Sequence, residues 1–228
     1  MKISIIIPVF NEKNTILEIL KRVENVKLEN KLEKEIIIID DCSIDGTKEI
    51  LQNLKKHKIL FHEKNMGKGA ALITGYKNAT GDIILNQDAD LEYDPNCYND
   101  LLKPILNNET KIVFGSRMLG HHKDMYLLHY IGNKVLTLIT NLLYNCKITD
   151  METGYKVFKK EVIEGMNLKA RRFDFEPEIT AKMLKKGYKI MEIPIDFKNP
   201  RDFLQGKKIT WKDGLEHFFY LIKYRFLN

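Results

Sequence analysis

Along the first half of the chain, apolar runs and helical repeats follow one another with a regular beat. Residues 3–9 form an almost unbroken β-branched run, and Ile16, Leu17, Leu20 and Val23 then recur at helical spacing. The stretch 35–40 carries four consecutive isoleucines, and Ile50, Leu51 and Leu54 mark a helix from about Thr47. A short strand at 58–62, a helix at 69–79 and a strand at 83–86 continue the alternation. Apolar strands bounded by helices imply an α/β architecture with a parallel sheet buried on both faces. Ligands of such sheets sit beyond the carboxyl ends of the strands, so informative residues are expected just after each strand.

The second half is less regular. The pattern predicts a helix near 95–106, a strand at 111–115, a long apolar helix within 125–146 and a strand around 155–158. A helix near 176–186, a strand at 189–197 and a final helix from about Trp211 follow. This order departs from a simple Rossmann repeat. No Gly/Ser/Pro-rich linker divides the 228 residues, which reads as one domain over 1–228 ending in an amphipathic helical segment at about 211–228.

Composition narrows the picture only slightly. With 44% hydrophobic and 30% charged residues the chain reads as globular, and its net charge of +6 favours anionic partners or a lysine-rich solvated surface. Dispersed basic residues and the lack of a recognition motif argue against nucleic acid as a partner. Cys42, Cys97 and Cys146 are far apart and odd in number, with neither metal nor disulfide spacing, as expected in a reducing compartment. Met1 leads straight into the first strand without a signal-peptide pattern, and no apolar stretch is clean enough to span a bilayer. The expectation is a cytoplasmic protein that lies on a membrane if it meets one.

The candidate chemistry falls at the strand ends. Asp88-Ala89-Asp90 follows the fourth strand, where two carboxylates beside a small residue suit one hard cation such as Mg²⁺ or Mn²⁺, with Glu92 as an added ligand. The plainer alternative is an aspartate-rich turn ahead of the helix that starts at Asp94-Pro95. Pro8-Val9-Phe10-Asn11-Glu12 closes the first strand, with Asn11 or Asn14 as helix cap. Asp40-Asp41 closes the second, and adjacent acids there need donors, which a base or ribose supplies. Asn65-Met66-Gly67-Lys68-Gly69-Ala70-Ala71 opens a helix and suits a backbone approaching phosphate, although it is neither a P-loop nor a dinucleotide fingerprint.

Together these loops resemble the family 2 glycosyltransferases with the GT-A fold. The resemblance continues through Gly115-Ser116-Arg117, Thr149-Asp150-Met151-Glu152-Thr153-Gly154-Tyr155-Lys156 and Phe173-Asp174-Phe175-Glu176. These later motifs resemble the branch that contains dolichyl-phosphate mannose synthase and bacterial polyprenyl-phosphate sugar transferases. The resemblance implies that Pro8, Phe10, Glu12, Ile39 and Asp41 line a nucleoside pocket. It implies that Asp88, Ala89 and Asp90 hold the diphosphate through the metal, that Glu92 stands where the mannose synthases have a glutamine ligand, and that Arg117 and Lys208 contact phosphates. It also implies inverting transfer of a hexose from GDP-mannose or a UDP-sugar to a polyprenyl phosphate. Glu176 or Asp174 is the base for a hydroxyl acceptor. A phosphate acceptor is already nucleophilic at neutral pH, so Asp150 and Glu176 then shape its site.

Two segments bear on the acceptor. The helix within 126–144 is apolar on most sides and reads as a core helix or as one lying at a bilayer interface, and Trp211, Phe218, Phe219, Lys223 and Arg225 mix aromatic with basic character. Both point to peripheral membrane contact or a membrane partner. His121, His122 and Lys123 occupy a segment that is arginine-rich in relatives; without a third ligand the histidines read as loop rather than metal site. The alternatives are a soluble or cell-surface glycan acceptor, a sugar nucleotidyltransferase, which would carry a Gly-rich basic loop after its first strand, and a non-catalytic nucleotide-binding module.

Overall fold

In the computed structural model, which describes residues 1–121, 125–197 and 211–227, the apolar runs become seven strands of one sheet. They are β1 (Lys2–Val9), β2 (Glu33–Asp40), β3 (Lys58–Phe61), β4 (Ile83–Asn86), β5 (Ile112–Ser116), β6 (Lys156–Lys159) and β7 (Ile190–Pro194). The order across the sheet is β3-β2-β1-β4-β6-β5-β7. Pairing is parallel throughout except for β6, which runs antiparallel to both β4 and β5. The irregular second half has its explanation there: β6 wedges between β4 and β5, so the chain returns to the middle of the sheet before adding its last strand at the edge.

Continuous isoleucine runs serve this sheet because both faces are covered. Ile5 and Ile7 of β1 point into one core with α1 (Ile16–Asn25) and α4 (Tyr98–Leu106), while Ile6 points into another with α3 (Lys68–Asn78) and α6 (Phe175–Lys185). All three isoleucines are fully buried, each contributing about 2 kcal/mol by area. The short α2 (Thr47–Gln52) follows β2. The expected helix at 95–106 is split: Asp94 accepts the Asn96 N–H to start a 3-10 turn, Pro95–Cys97, which feeds α4.

A third core joins α5 (Leu127–Tyr144), α6 and α7 (Trp211–Phe226), through Leu136, Tyr144, Met151, Ala181, Leu221 and Tyr224. The Tyr144 hydroxyl donates to the Leu221 carbonyl at 2.7 Å, tying α5 to α7. Only one side of α5 is used this way. Leu128, Ile131, Val135, Leu138 and Leu142, spaced three and four apart, form an exposed stripe along its other side. Among the described residues no helix is long and apolar enough to cross a membrane. All three cysteines are free.

Candidate active site

The loops after β1, β2 and β4 meet at the carboxyl end of the parallel strands, where the strand order turns outward on either side of β1 and β4. The first two are laced together. Asn11 donates its N–H to Ser43 Oγ and accepts the Ile44 N–H, Glu12 N–H reaches Thr47 Oγ1, and Lys13 N–H reaches Asp45. Asn11, Cys42 and Leu91 all hold positive φ, +55°, +65° and +66°, one in each loop. Left-handed backbone at a branched leucine is strained and persists only where its surroundings hold it.

Lys68, at the first turn of α3, places its ammonium 2.7 Å from Asp88 Oδ1 and 3.8 Å from Glu176 Oε1. Burial opposes the Lys68 charge, but the two carboxylates outweigh it and raise its pKa above the usual lysine value. Glu176 in turn bonds Lys156, a wholly buried lysine whose remaining hydrogens go to the Met151 and Thr153 carbonyls. A chain of alternating charge, Asp88–Lys68–Glu176–Lys156, thus links β4, α3, α6 and β6. Glu176, expected as the base for a hydroxyl acceptor or as part of the site of a phosphate acceptor, faces two ammonium groups.

Behind Asp88 lies a buried polar support. Gln87 Oε1 accepts the hydroxyls of Tyr98 and Tyr155 at 2.7 and 2.6 Å, and its amide donates to the Asp88 carbonyl. The Tyr93 hydroxyl accepts the Gly154 N–H, and a Cβ on Gly154 would collide with Asp88 Oδ2. Sequence reasoning missed Gln87, Tyr93 and Lys156 as supports; for Gln87 and Lys156 the signal was present as polar residues at the ends of short strands.

Arg117 is buried and gripped by Asp150 through Nε, Nη2 and its backbone N–H at 2.7, 2.7 and 3.0 Å, with the guanidinium 5.6 Å from the centre of the Phe197 ring. Burial alone would lower its pKa, but Asp150 raises it. The two-point grip fixes the plane of the guanidinium where it lines the cavity.

The cavity has a volume of about 560 Å³ and is lined by Pro8, Phe10, Glu12, Asp41, Lys68, Asp88, Ala89, Asp90, Glu92, Arg117 and Glu176. Its wall continues through Met125, Tyr126, Leu128 and His129 at the start of α5. Ile39, expected in the nucleoside pocket, is instead fully buried beside Ile6, Ala71 and Leu72, because the pleat turns it away from the strand end into the second core. Lys208, His122 and Lys123 lie outside the described residues.

Two expectations about the loops change. Four amides at the start of α3, where a phosphate was expected, are engaged within the chain: Met66 and Gly67 N–H bond Asp41, and Gly69 and Ala70 N–H bond the carbonyls of Arg172 and Arg171. Gly67 (φ +94°) has no room for a side chain, because one would strike the Arg171 carbonyl. The glycines therefore serve close packing between segments of the chain, and the Lys68 ammonium rests on Asp88. Likewise Asp41 already has donors within the chain, whereas Asp40 accepts Ser43 N–H on one oxygen and its other oxygen has no hydrogen-bond partner among the described residues.

Among the described residues no three His, Cys, Asp or Glu side chains are gathered as a metal-binding group, so Asp88, Asp90 and Glu92 are not preassembled around one point. Glu92 instead meets Asp90 through its backbone N–H at 3.2 Å. The donor set still fits a hard divalent cation that takes one or two carboxylates and completes its shell with phosphate oxygens and water. The Lys68 ammonium on Asp88 marks that carboxylate as a place for positive charge.

A mixed seven-stranded sheet of this kind, with an acidic turn at the end of its central parallel strands, is the GT-A glycosyltransferase fold. Residues 4–166 match the model of glycosyl transferase family 2, and the chain belongs to that family. It is 31% identical over 235 residues to a dolichol-phosphate mannosyltransferase of Pyrococcus furiosus, covering 98% of this chain but 64% of that longer protein. It is 32% identical over 216 residues to the UDP-N-acetylglucosamine–dolichyl-phosphate N-acetylglucosaminyltransferase of Methanococcus voltae, covering 85% of this chain and 84% of that one. Among solved structures, glucosyl-3-phosphoglycerate synthase from Mycobacterium tuberculosis bound to UDP superposes with a TM-score of 0.78 at 17% identity, covering 100% of this chain and 81% of that one. The same synthase has been solved with Mn²⁺ or Mg²⁺ beside UDP.

Proposed function

We propose that this glycosyltransferase moves a hexose, with inversion, from a nucleotide-diphosphate sugar such as GDP-mannose or a UDP-sugar to a polyprenyl or dolichyl phosphate. The observation that carries the reading is the composition of one cavity from end to end. Carboxylates, Lys68 and Arg117 gather at the strand ends, and the lining also takes in Leu128, a member of the exposed apolar stripe of α5. A phosphorylated head with a long apolar tail matches that sequence of surfaces. The two dolichyl-phosphate relatives support the same acceptor, and the metal-bound synthase structures support a divalent cation.

In this reading Pro8, Phe10, Glu12 and Asp41 receive the nucleoside, and Asp88, Ala89 and Asp90 face the diphosphate, with Glu92 at their edge. Mg²⁺ or Mn²⁺ held by Asp88 and Asp90 would supply Lewis-acid neutralisation of the leaving diphosphate. Lys68 and Arg117 add fixed positive charge to the same wall, worth most where water is excluded. A phosphate acceptor needs no proton removed, so Glu176 acts by holding Lys68 and Lys156 in place. Residues 1–228 work as one domain at the cytoplasmic membrane face, with α5 and the amphipathic α7 making peripheral contact or meeting a membrane partner. On α7, Lys223 and Arg225 lie against Tyr220 and Tyr144, with Phe219 and Phe226 exposed beside them.

The test is nucleotide release by purified protein with Mn²⁺ or Mg²⁺ and a panel of GDP- and UDP-sugars, with and without a short polyprenyl phosphate. Lipid-dependent release that disappears in Asp90→Ala is the expected result. Release indifferent to lipid would move the acceptor to a soluble or cell-surface glycan.

A further inference from the structure

The Asp41 carboxylate reaches the cavity already held by three donors, and one of them comes from a side chain with no place in the reaction so far. His62, the residue after β3, has a nearly buried ring whose Nδ1 lies 2.7 Å from Asp41 Oδ1 and whose Nε2 lies 2.9 Å from Thr74 Oγ1. A carboxylate only accepts, so Nδ1 carries the hydrogen toward Asp41, and the hydrogen bond between Nε2 and the Thr74 hydroxyl fixes the other side of the ring. The His62 backbone N–H also donates to the Asp40 carbonyl at 2.9 Å. One imidazole therefore ties together the end of β2, the exit of β3 and the middle of α3.

Packing alone does not require this arrangement, since an apolar side chain of similar size would fill the same space. What the ring adds is a fixed direction for Asp41. Oδ1 accepts His62 and the Met66 N–H, and Oδ2 accepts the Gly67 N–H at 2.6 Å. Of roughly four lone-pair positions on a carboxylate, three are filled from within the chain. The last belongs to Oδ2, on a residue that lines the cavity. The same two amides lead directly into Lys68, so the orientation of Asp41 also sets where that ammonium enters.

We propose that His62, oriented by Thr74, is a positioning residue for the donor nucleotide. It holds Asp41 so that one lone pair accepts an N–H or O–H of the nucleoside while the same carboxylate anchors the loop that delivers Lys68 to the diphosphate end. The inference rests on the nucleotide-sugar reading above and gives it a mechanism for linking the two ends of the donor.

Calorimetric titration of the full chain with UDP and with GDP, each with Mn²⁺, tests it beside steady-state kinetics and thermal unfolding. His62→Leu is expected to weaken binding of the nucleotide that the wild type prefers by about tenfold, the effect of losing one hydrogen bond to a charged group. The donor KM should rise in proportion, with kcat nearly unchanged. His62→Asn, whose amide N–H can stand in for Nδ1–H, should recover most of the affinity. Thr74→Val, which leaves the ring in place, should cost about threefold. Variants that melt earlier yet bind nucleotide as tightly as the wild type would overturn the inference and leave His62 a structural residue. A wild type that binds neither nucleotide would overturn the nucleotide-sugar reading and this inference with it.

Discussion

The two sides of the cavity are built on opposite plans. On the side formed by β1 to β4, the loops are laced by side-chain-to-backbone hydrogen bonds, and even the acids have partners supplied by the chain. On the side formed by α5 and α7, large apolar residues stand exposed, with Leu128 73% and Leu142 76% accessible. A site that must hold a small, highly charged nucleotide gains from fixed donors and acceptors, which lose no reorganisation energy when the ligand arrives. The flexible apolar chain of the proposed acceptor would gain from open hydrophobic surface instead. An exposed stripe of this regularity on a folded helix marks an interaction surface.

The largest effect should come from the joint between the two plans. Asp150→Ala strands the buried Arg117 guanidinium, and breaking a buried ion pair from one side costs about 3–5 kcal/mol. Urea unfolding should show that loss; a loss under 1 kcal/mol would mean that Arg117 finds water or another partner. On the charged side, Gly154→Ala should lower transfer by about tenfold or more, because the new methyl pushes on Asp88 Oδ2. Its expected signature is a higher metal concentration for half-maximal rate, and an unchanged metal dependence would separate Gly154 from the site.

A pH scan sharpens the contrast at the far end of the first half. Glu35 is partly buried, which alone would raise its pKa, but the Ser4 hydroxyl, the Thr80 N–H and hydroxyl, and Lys2 bring it from the ordinary 4.5 down to about 2. A depressed folded pKa gives stability that is present above pH 4.5 and lost as pH falls toward 2. Glu35→Gln should therefore flatten the acid limb of stability in that window, measured by denaturant midpoints. An unchanged limb would remove Glu35 from the account.

The smallest effect on the fold should come from the apolar side. Leu138→Glu with Leu142→Glu should shift stability by no more than about 0.5 kcal/mol per site, as exposed substitutions do. The same pair should abolish flotation with anionic liposomes. Retained flotation would assign membrane contact to α7 or to a partner.

Much of this was legible in the sequence, and the parts that were not have physical reasons. The isoleucine runs of β1 and β2 marked a sheet buried on both faces, and the acids and amides that follow them fell at the strand ends as expected. The antiparallel β6 was not legible, because period-2 patterning carries no direction and a four-residue strand carries little pattern of any kind. The internal partners of Asp41 were hidden for another reason: His62 and Gly67 are 21 and 26 residues away, and only the fold brings them near. In α5 the apolar content was plain. Which of its leucines face out was not, since a helix apolar on most sides has no phase to read.

The measurement that bears most directly on the account is product analysis by mass spectrometry. Wild-type protein is incubated with Mn²⁺, the preferred nucleotide sugar and a short polyprenyl phosphate, beside Asp90→Ala. The expected result is a polyprenyl phosphate heavier by one hexose with the wild type, and about 10²–10³-fold less of it with the variant, the usual loss when a group that stabilises transition-state charge is removed. Unmodified lipid in both reactions, with nucleotide released all the same, would contradict the lipid acceptor. Equal product from both proteins would contradict the site.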